Sequence, residues 1–183
     1  LVCHGYTSKA KHMAGFVNKF YSLGYNVLAA DARAHGDSEG TKIGMGWPER
    51  FDVIKWIKLI ISWEPNAQII LHGVSMGAAT VLMASGEELP ENVKVIIADC
   101  GYTSEWDEFK CEANALHIPW FPVLNAASVM SKLRDGYDFK QASALEQVKH
   151  NRIPTLFIHG SDDELVPYSM LDKLYSAAAC EKE

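Results

Sequence analysis

No apolar run among these 183 residues approaches the roughly 20 residues that a membrane-crossing helix needs, and Lys or Glu interrupts the longest candidates. No secretory signal is visible. Basic runs are missing as well. Lys and Arg total 17 against 23 Asp and Glu, a formal net charge of −6, which speaks against a nucleic-acid partner. No CxxC or Cys/His pair has zinc spacing. The cysteines Cys3, Cys100, Cys111 and Cys180 lie far apart and read as free thiols of a reducing, cytoplasmic setting. The first residue is Leu1 rather than methionine, so a signal or anchor ahead of it stays open. Disorder is excluded too, since 48% of the residues are hydrophobic and 10% aromatic, enough for one domain with a sizeable core.

What is present is an alternation. Asn26–Ala30, Gln68–His72, Val93–Ala98 and Thr155–His159 are short apolar runs of the kind covered on both faces of a sheet. Helical patterns separate them. Met13, Phe16, Val17 and Phe20 share one face before Gly24, and Val53, Ile57 and Ile60 line a helix that Pro48 opens. Met76, Ala79, Thr80 and Met83 mark a third helix, and Leu171, Leu174, Tyr175 and Ala178 a fourth. Strand and helix alternating at this spacing predict an α/β fold with a mostly parallel sheet, right-handed crossovers and helices on both faces. From about 101 to 142 the rhythm breaks. Trp106, Phe109, Trp120, Phe121, Tyr137 and Phe139 gather there around Pro119 and Pro122, and a small helical cap inserted into the single domain 1–183 is expected. Only Leu1-Val2-Cys3 precedes the first turn, and the last helix runs into Cys180–Glu183. The expectation is of flanking strands cut short at both ends, with no returning strand.

The sharpest chemical signal is His72-Gly73-Val74-Ser75-Met76-Gly77, a G-x-S-x-G turn with an apolar strand before it and small residues after it. A serine on so tight a bend is lifted above the sheet edge, and the following helix aims its first N–H groups at a developing oxyanion. Ser75 is therefore the candidate nucleophile and the Met76 N–H one oxyanion donor. The turn His4-Gly5-Tyr6-Thr7 ends the first strand, and the Tyr6 N–H is the candidate second donor. His4 reads as a packed, hydrogen-bonded residue rather than a base. Three carboxylates, Asp162, Asp163 and Glu164, follow the last strand; any one of them can orient an imidazole, and at least two must be surface charges. A peptidase would need carboxylates for a substrate ammonium group. Glu105, Asp107 and Glu108 offer them, although a solvated acidic face is the simpler account.

Four motifs together resemble the α/β-hydrolases of the serine aminopeptidase, acyl-CoA thioesterase/acyltransferase and feruloyl-esterase-like group. They are His4-Gly5-Tyr6-Thr7, Asp31-Ala32-Arg33-Ala34-His35-Gly36 continuing to Gly40, the Ser75 elbow, and His159-Gly160 through Val166-Pro167. The resemblance implies a serine hydrolase acting on a small acyl substrate, with no metal or organic cofactor. It makes Asp163 the triad acid, Asp162 the neighbour to test next, and Asp99 the position that some relatives use instead. It makes Arg33 and His35 scaffold. Many relatives carry glycine where Ala34 stands. One departure is serious. The triad order of this fold is serine, acid, histidine, and none of His4, His12, His35, His72, His117, His150 and His159 follows Asp163. The expectation is that the base lies beyond Glu183, after one more strand. The alternatives are a peptidase, thioesterase or acyltransferase with the same nucleophile, or a non-catalytic binding protein on this fold.

Overall fold

A computed structural model describes all of residues 1–183. Its five strands are β1 (Val2–Cys3), β2 (Ala29–Ala30), β3 (Ile69–Val74), β4 (Val93–Asp99) and β5 (Thr155–Ile158). All pair in parallel in the order β2-β1-β3-β4-β5. The helices are α1 (Ala14–Ser22), α2 (Glu49–Trp63), α3 (Met76–Ala84), α4 (Glu105–Ala115), α5 (Val123–Asp135), α6 (Ala144–Gln147) and α7 (Ser169–Ala177). This is the parallel α/β architecture that the alternation predicts. Local chemistry sets the boundaries. Gly24, at φ 91°, ends α1, and Pro48, at φ −70°, leads into α2. The Ser104 hydroxyl accepts the Asp107 N–H at the start of α4.

The core forms where β3 and β4 meet α3. Every residue of α3 is buried, because glycine and alanine at its start let the helix axis approach the sheet closely. Side chains alternate along β3. Leu71 joins the core cluster with α3, whereas His72 faces the other way and packs edge-on against Phe16 of α1 at 4.6 Å. The sheet therefore carries α1 on one face and α3 on the other.

Three expectations need correction. The face of α1 is right but its depth is not: only Met13, just ahead of the helix, is buried, and Phe16 is 40% exposed. The β1 and β2 strands beside it are two residues each and offer little surface to cover. In α7 the buried residues are Met170 and Leu174, while Tyr175 lies half out against Phe157 at 5.8 Å. Third, the chain does return to the sheet. Thr155 and Phe157 donate to the carbonyls of Glu181 and Glu183 at 2.9 and 2.8 Å, and Thr155 bridges Lys182 in parallel. Glu181-Lys182-Glu183 has no apolar period, yet the backbone of the β5 edge pairs without regard to side chains.

Between β4 and β5 lie α4, α5 and the short α6, with no strand among residues 105–142. The segment leaves and rejoins the sheet domain through one neck. Ser104 bridges Ser143 antiparallel, Glu105 N–H donates to Ala142 O at 2.9 Å, and Trp106 N–H donates to Phe139 O at 3.1 Å.

Candidate active site

At the carboxyl end of β3 the chain bends into α3 through Ser75, whose backbone sits at φ 54° and ψ −117°, a region that residues with a side chain rarely occupy. Two glycines make the bend possible. A Cβ on Gly73 would lie 2.2 Å from Gly77 O, and one on Gly77 would lie 2.3 Å from Cys3 O. The bend is held on both sides, since Ser75 N–H donates to Asp99 O at 2.8 Å and Ser75 O accepts from Ala79 N–H at 3.0 Å. Ser75 is half-buried, and its side chain does not turn into the core.

The turn after β1 closes over the same spot. A Cβ on Gly5 would stand 3.3 Å from Ser75 Cβ and 3.8 Å from Ser75 Oγ, so this glycine leaves room beside the hydroxyl. Neither the Tyr6 N–H nor the Met76 N–H has an acceptor within the chain. Met76 is 1% exposed, and a buried backbone donor is almost always paired; Tyr6, 48% exposed, lies in the turn whose Gly5 adjoins Ser75. His4 is 2% exposed; its Nε2 accepts the Ala32 N–H at 2.9 Å and its Nδ1 donates to Gly5 O at 2.8 Å. It is a strut between two loops. The loop after β2 is stitched together in the same manner. Asp31 accepts N–H groups from Ala10 and Asp37, which hold its carboxyl below the ordinary range. Arg33 pairs with Asp52 at 2.6 Å, and His35 Nδ1 donates to Arg33 O at 2.9 Å. Ala34, where many relatives carry glycine, adopts φ 57°.

Of the three carboxylates after β5, Asp162 and Glu164 are exposed and Asp163 is half-buried. Asp163 Oδ1 accepts the N–H groups of Leu165 and Val166, both at 2.9 Å. Those bonds fix the carboxylate and leave Oδ2 3.6 Å from His159 Nε2, without a hydrogen bond of its own. The Asp163 charge is felt at Asp99 and Cys100, the residues directly beside Ser75. Asp99 is held above the ordinary carboxyl range by burial, opposed by His159 and reinforced by Asp163.

Five of the seven histidines are engaged by other groups, and none has a contact with Ser75. His4 and His35 brace their loops, and His12 meets Ser8. His72 lies between Phe16 and Phe20. His117 and His150 are exposed. His159 Nε2 donates to Val166 O at 2.8 Å, and its ring stands edge-on to Tyr168.

Sequence reasoning missed two features. The Cys100 thiol lies beside the Ser75 N–H and is pushed up to about 11, by burial first and then by Asp99; a free cysteine after a strand carries no pattern that announces this. The second is a correction: Glu105 and Glu108 are not a solvated face. They are 3% and 5% exposed, each with an unpartnered Oε2, because the neck presses the first turn of α4 onto the sheet domain. Burial, with Glu49 and Asp135 nearby, pushes Glu105 up to about 8. Burial, with Glu112 and Asp163, does the same for Glu108. Asp107 accepts the Thr103 hydroxyl at 2.6 Å.

No cluster of His, Cys, Asp or Glu side chains has the geometry to hold a metal ion. A cleft of about 530 Å³ is lined by Leu1, Phe20, Tyr25, Leu28, Trp63 and His72, at the amino ends of the strands and away from Ser75.

Comparison with known proteins gives a consistent picture. The family described as "Serine aminopeptidase, S33" matches residues 1–143. The chain is 33% identical over 177 residues to the uncharacterized protein YqkD of Bacillus subtilis, covering 96% of this chain and 58% of that one. It is 30% identical over 174 residues to the lysophosphatidylserine lipase ABHD12 of Macaca fascicularis, covering 94% of this chain and 43% of that one. The chain thus spans about half the length of these curated relatives. Among solved structures, the Pyrococcus furiosus esterase Pf2001 superposes with a TM-score of 0.76 at 25% identity, covering 100% of this chain and 70% of that one. An acetyl xylan esterase from Paenibacillus sp. R4 shares the fold, with a TM-score of 0.75 at 18% identity, covering 100% of this chain and 65% of that one.

Proposed function

From the premise that the chain belongs to the serine aminopeptidase family of α/β-hydrolases, we propose that it is the core of a serine hydrolase that cleaves carboxylic esters through a covalent acyl-enzyme. Ser75 Oγ attacks the acyl carbonyl while a histidine takes its proton, and the carbonyl becomes an oxyanion held by the Tyr6 and Met76 N–H groups. The tetrahedral intermediate collapses, the imidazolium protonates the leaving alcohol, and water repeats the sequence on acyl-Ser75. Asp163 Oδ2 orients the imidazole and stabilises its charged form. Each oxyanion donor is worth about 3 kcal/mol of barrier. The observation that carries the reading is Ser75 itself: a serine held at φ 54° on the bend between β3 and α3, with Gly5 of the neighbouring turn leaving room beside its hydroxyl, is a strain the fold does not need for its own sake.

Five of the seven histidines have partners elsewhere and His117 and His150 lie exposed, so the reading calls for a histidine that is not among these seven. An ester suits the site better than an amino-terminal amide. The buried Glu105 and Glu108, raised to about 8, are neutral acids at pH 7 and offer an ammonium group no ion pair. The names of the relatives, a lysophosphatidylserine lipase and an esterase, point the same way.

The test is fluorophosphonate labelling of the full encoded polypeptide, followed by hydrolysis of p-nitrophenyl acyl esters against aminoacyl amides. A label on Ser75, lost in Ser75→Ala together with ester hydrolysis, is the expected result. Folded, full-length protein that takes no label would instead make this a binding module on a hydrolase fold. Preference for the amide would replace the ester with a peptide bond.

A further inference from the structure

The helix α5 is built inside out. Its buried residues are Leu124, Ser128 and Ser131. The two serines are held by hydrogen bonds, Ser128 Oγ accepting Phe139 N–H at 3.1 Å and Ser131 Oγ donating to Tyr137 O at 2.9 Å. Placed at about 100° per residue, Val123, Ala126, Val129, Met130 and Leu133 fall within an arc of about 120° on the opposite side. All five are exposed, Met130 by 61% and Leu133 by 78%. The approach to the helix continues the surface, with Leu116, Ile118 and Phe121 at 69%, 49% and 66% exposure. A monomer in water rarely leaves so continuous an apolar face uncovered.

The charge around that face identifies what it meets. The chain is acidic overall, yet no Asp or Glu occurs from Ala113 to Arg134. Lys132 and Arg134 flank the apolar arc, one on each side of the helix. Both pair with acids, but the cations lie outermost: the Lys132 and Arg134 side chains are 59% and 66% exposed, against 29% and 14% for Asp138 and Asp135. Two more cations rest on aromatic faces of the same segment, Lys140 over Trp106 at 4.6 Å and Lys110 over Trp120 at 4.7 Å. Between Trp106 and α5 an open groove of about 380 Å³ has Val129 and Leu133 along it and Lys132 and Lys140 at its edge. An apolar stripe bordered by long cationic side chains, with tryptophan at the boundary, has the composition of a helix that lies in a lipid interface. Its apolar residues enter the acyl region and its lysines stay level with the headgroups. Two copies meeting face to face through this stripe would bring their cationic borders together, like charge against like.

We propose that the outer face of α5, with the approach through Phe121, docks on a lipid surface bearing anionic headgroups. The proposal does not rest on the acyl-enzyme reading, because its readout is binding and not turnover. The test is co-sedimentation of the protein with phosphatidylcholine vesicles, with and without phosphatidylglycerol, at low and high salt. The expected result is association at least about tenfold stronger with the anionic vesicles, weakening as salt rises. Met130→Asp with Leu133→Asp should abolish it without moving the thermal midpoint, since both side chains are in water. Lys132→Gln with Arg134→Gln should remove the preference for anionic lipid. Equal binding to neutral vesicles, no binding to either, or unchanged binding of the aspartate variant would each overturn the proposal. So would a dimer seen by sedimentation without lipid, sensitive to the aspartate substitutions, in a protein that ignores vesicles.

Discussion

The helices α3 and α5 solve opposite problems. α3 is buried along its whole length, and its one hydroxyl-bearing side chain, Thr80, donates back to Met76 O at 2.6 Å. Its position depends on close backbone approach, with Gly77 lying against Cys3 O. α5 turns serines inward and methionine and leucine outward; its serines bond to the backbone of Phe139 and Tyr137 in the same segment, and the neck at Ser104 and Ser143 joins that segment to the body. Steric approach fixes a position to tenths of an ångström. A few partly exposed hydrogen bonds open at low free energy. The rigid helix carries the proposed oxyanion donor Met76, and the loosely held one presents a surface to the outside.

The comparison breaks first at its glycines. In Gly77→Ala the new Cβ meets the backbone of Cys3 and His4 at 2.3 to 2.8 Å, atoms that cannot swing aside, so the loss should exceed about 4 kcal/mol. Gly136→Ala, at the end of α5, meets nothing within 4 Å and suffers only from φ 85°, at a cost of about 1 kcal/mol. Urea denaturation of the two variants measures the difference. Comparable losses would mean that α3 is no more tightly placed than α5.

The same contrast explains what could be read beforehand. The elbow was legible because its demands are local. A serine between two glycines, after an apolar strand and before small residues, allows few other structures. The strands β3, β4 and β5 were legible for the same reason, as apolar runs of strand length, whereas of the run Asn26–Ala30 only Ala29–Ala30 pairs as a strand. Asp163 stood among three consecutive carboxylates, and only the turn that lets Leu165 and Val166 donate to it separates it from its neighbours. Glu105 and Glu108 were misread because charges in a first helical turn usually face water. Their burial is imposed by the neck, a contact between residues almost forty positions apart. The return of Glu181–Glu183 to β5 was invisible for a related reason: the pairing uses backbone groups alone.

Those buried acids set the second expectation. The ordinary glutamate value is about 4.3, and Glu108 in the fold is raised to about 8, by burial above all. Between those values the folded chain keeps a proton that the unfolded chain has released. Stability therefore falls as pH climbs from about 4 and levels off above about 8. Glu108→Gln keeps the shape and removes the titration. Below pH 4 it should match the parent, and at pH 8 it should exceed it by on the order of 4 kcal/mol, at about 1.4 kcal/mol for each unit by which the pKa is raised, read as a flatter plot of thermal midpoint against pH. A variant as steep as the parent would mean that the base of α4 is wetter than its burial indicates.

The smallest effect bears most directly on chemistry. If Ser75 keeps φ 54° and ψ −117° for the sake of its hydroxyl, the fold as such gains nothing from a side chain there. Ser75→Gly should relieve roughly 1–3 kcal/mol of backbone strain, partly offset by the extra freedom of glycine in the unfolded chain. The net gain is about 1 kcal/mol, a rise of about 2–4 °C in thermal midpoint for a domain of this size. Ser75→Ala has the same backbone constraint and should gain nothing, although both variants lose the hydroxyl. A glycine variant more stable than the alanine variant places the strain in the backbone at residue 75. If both melt with the parent, the bend is relaxed, and the opposition between a rigid, strained elbow and a loosely tethered α5 loses its first term.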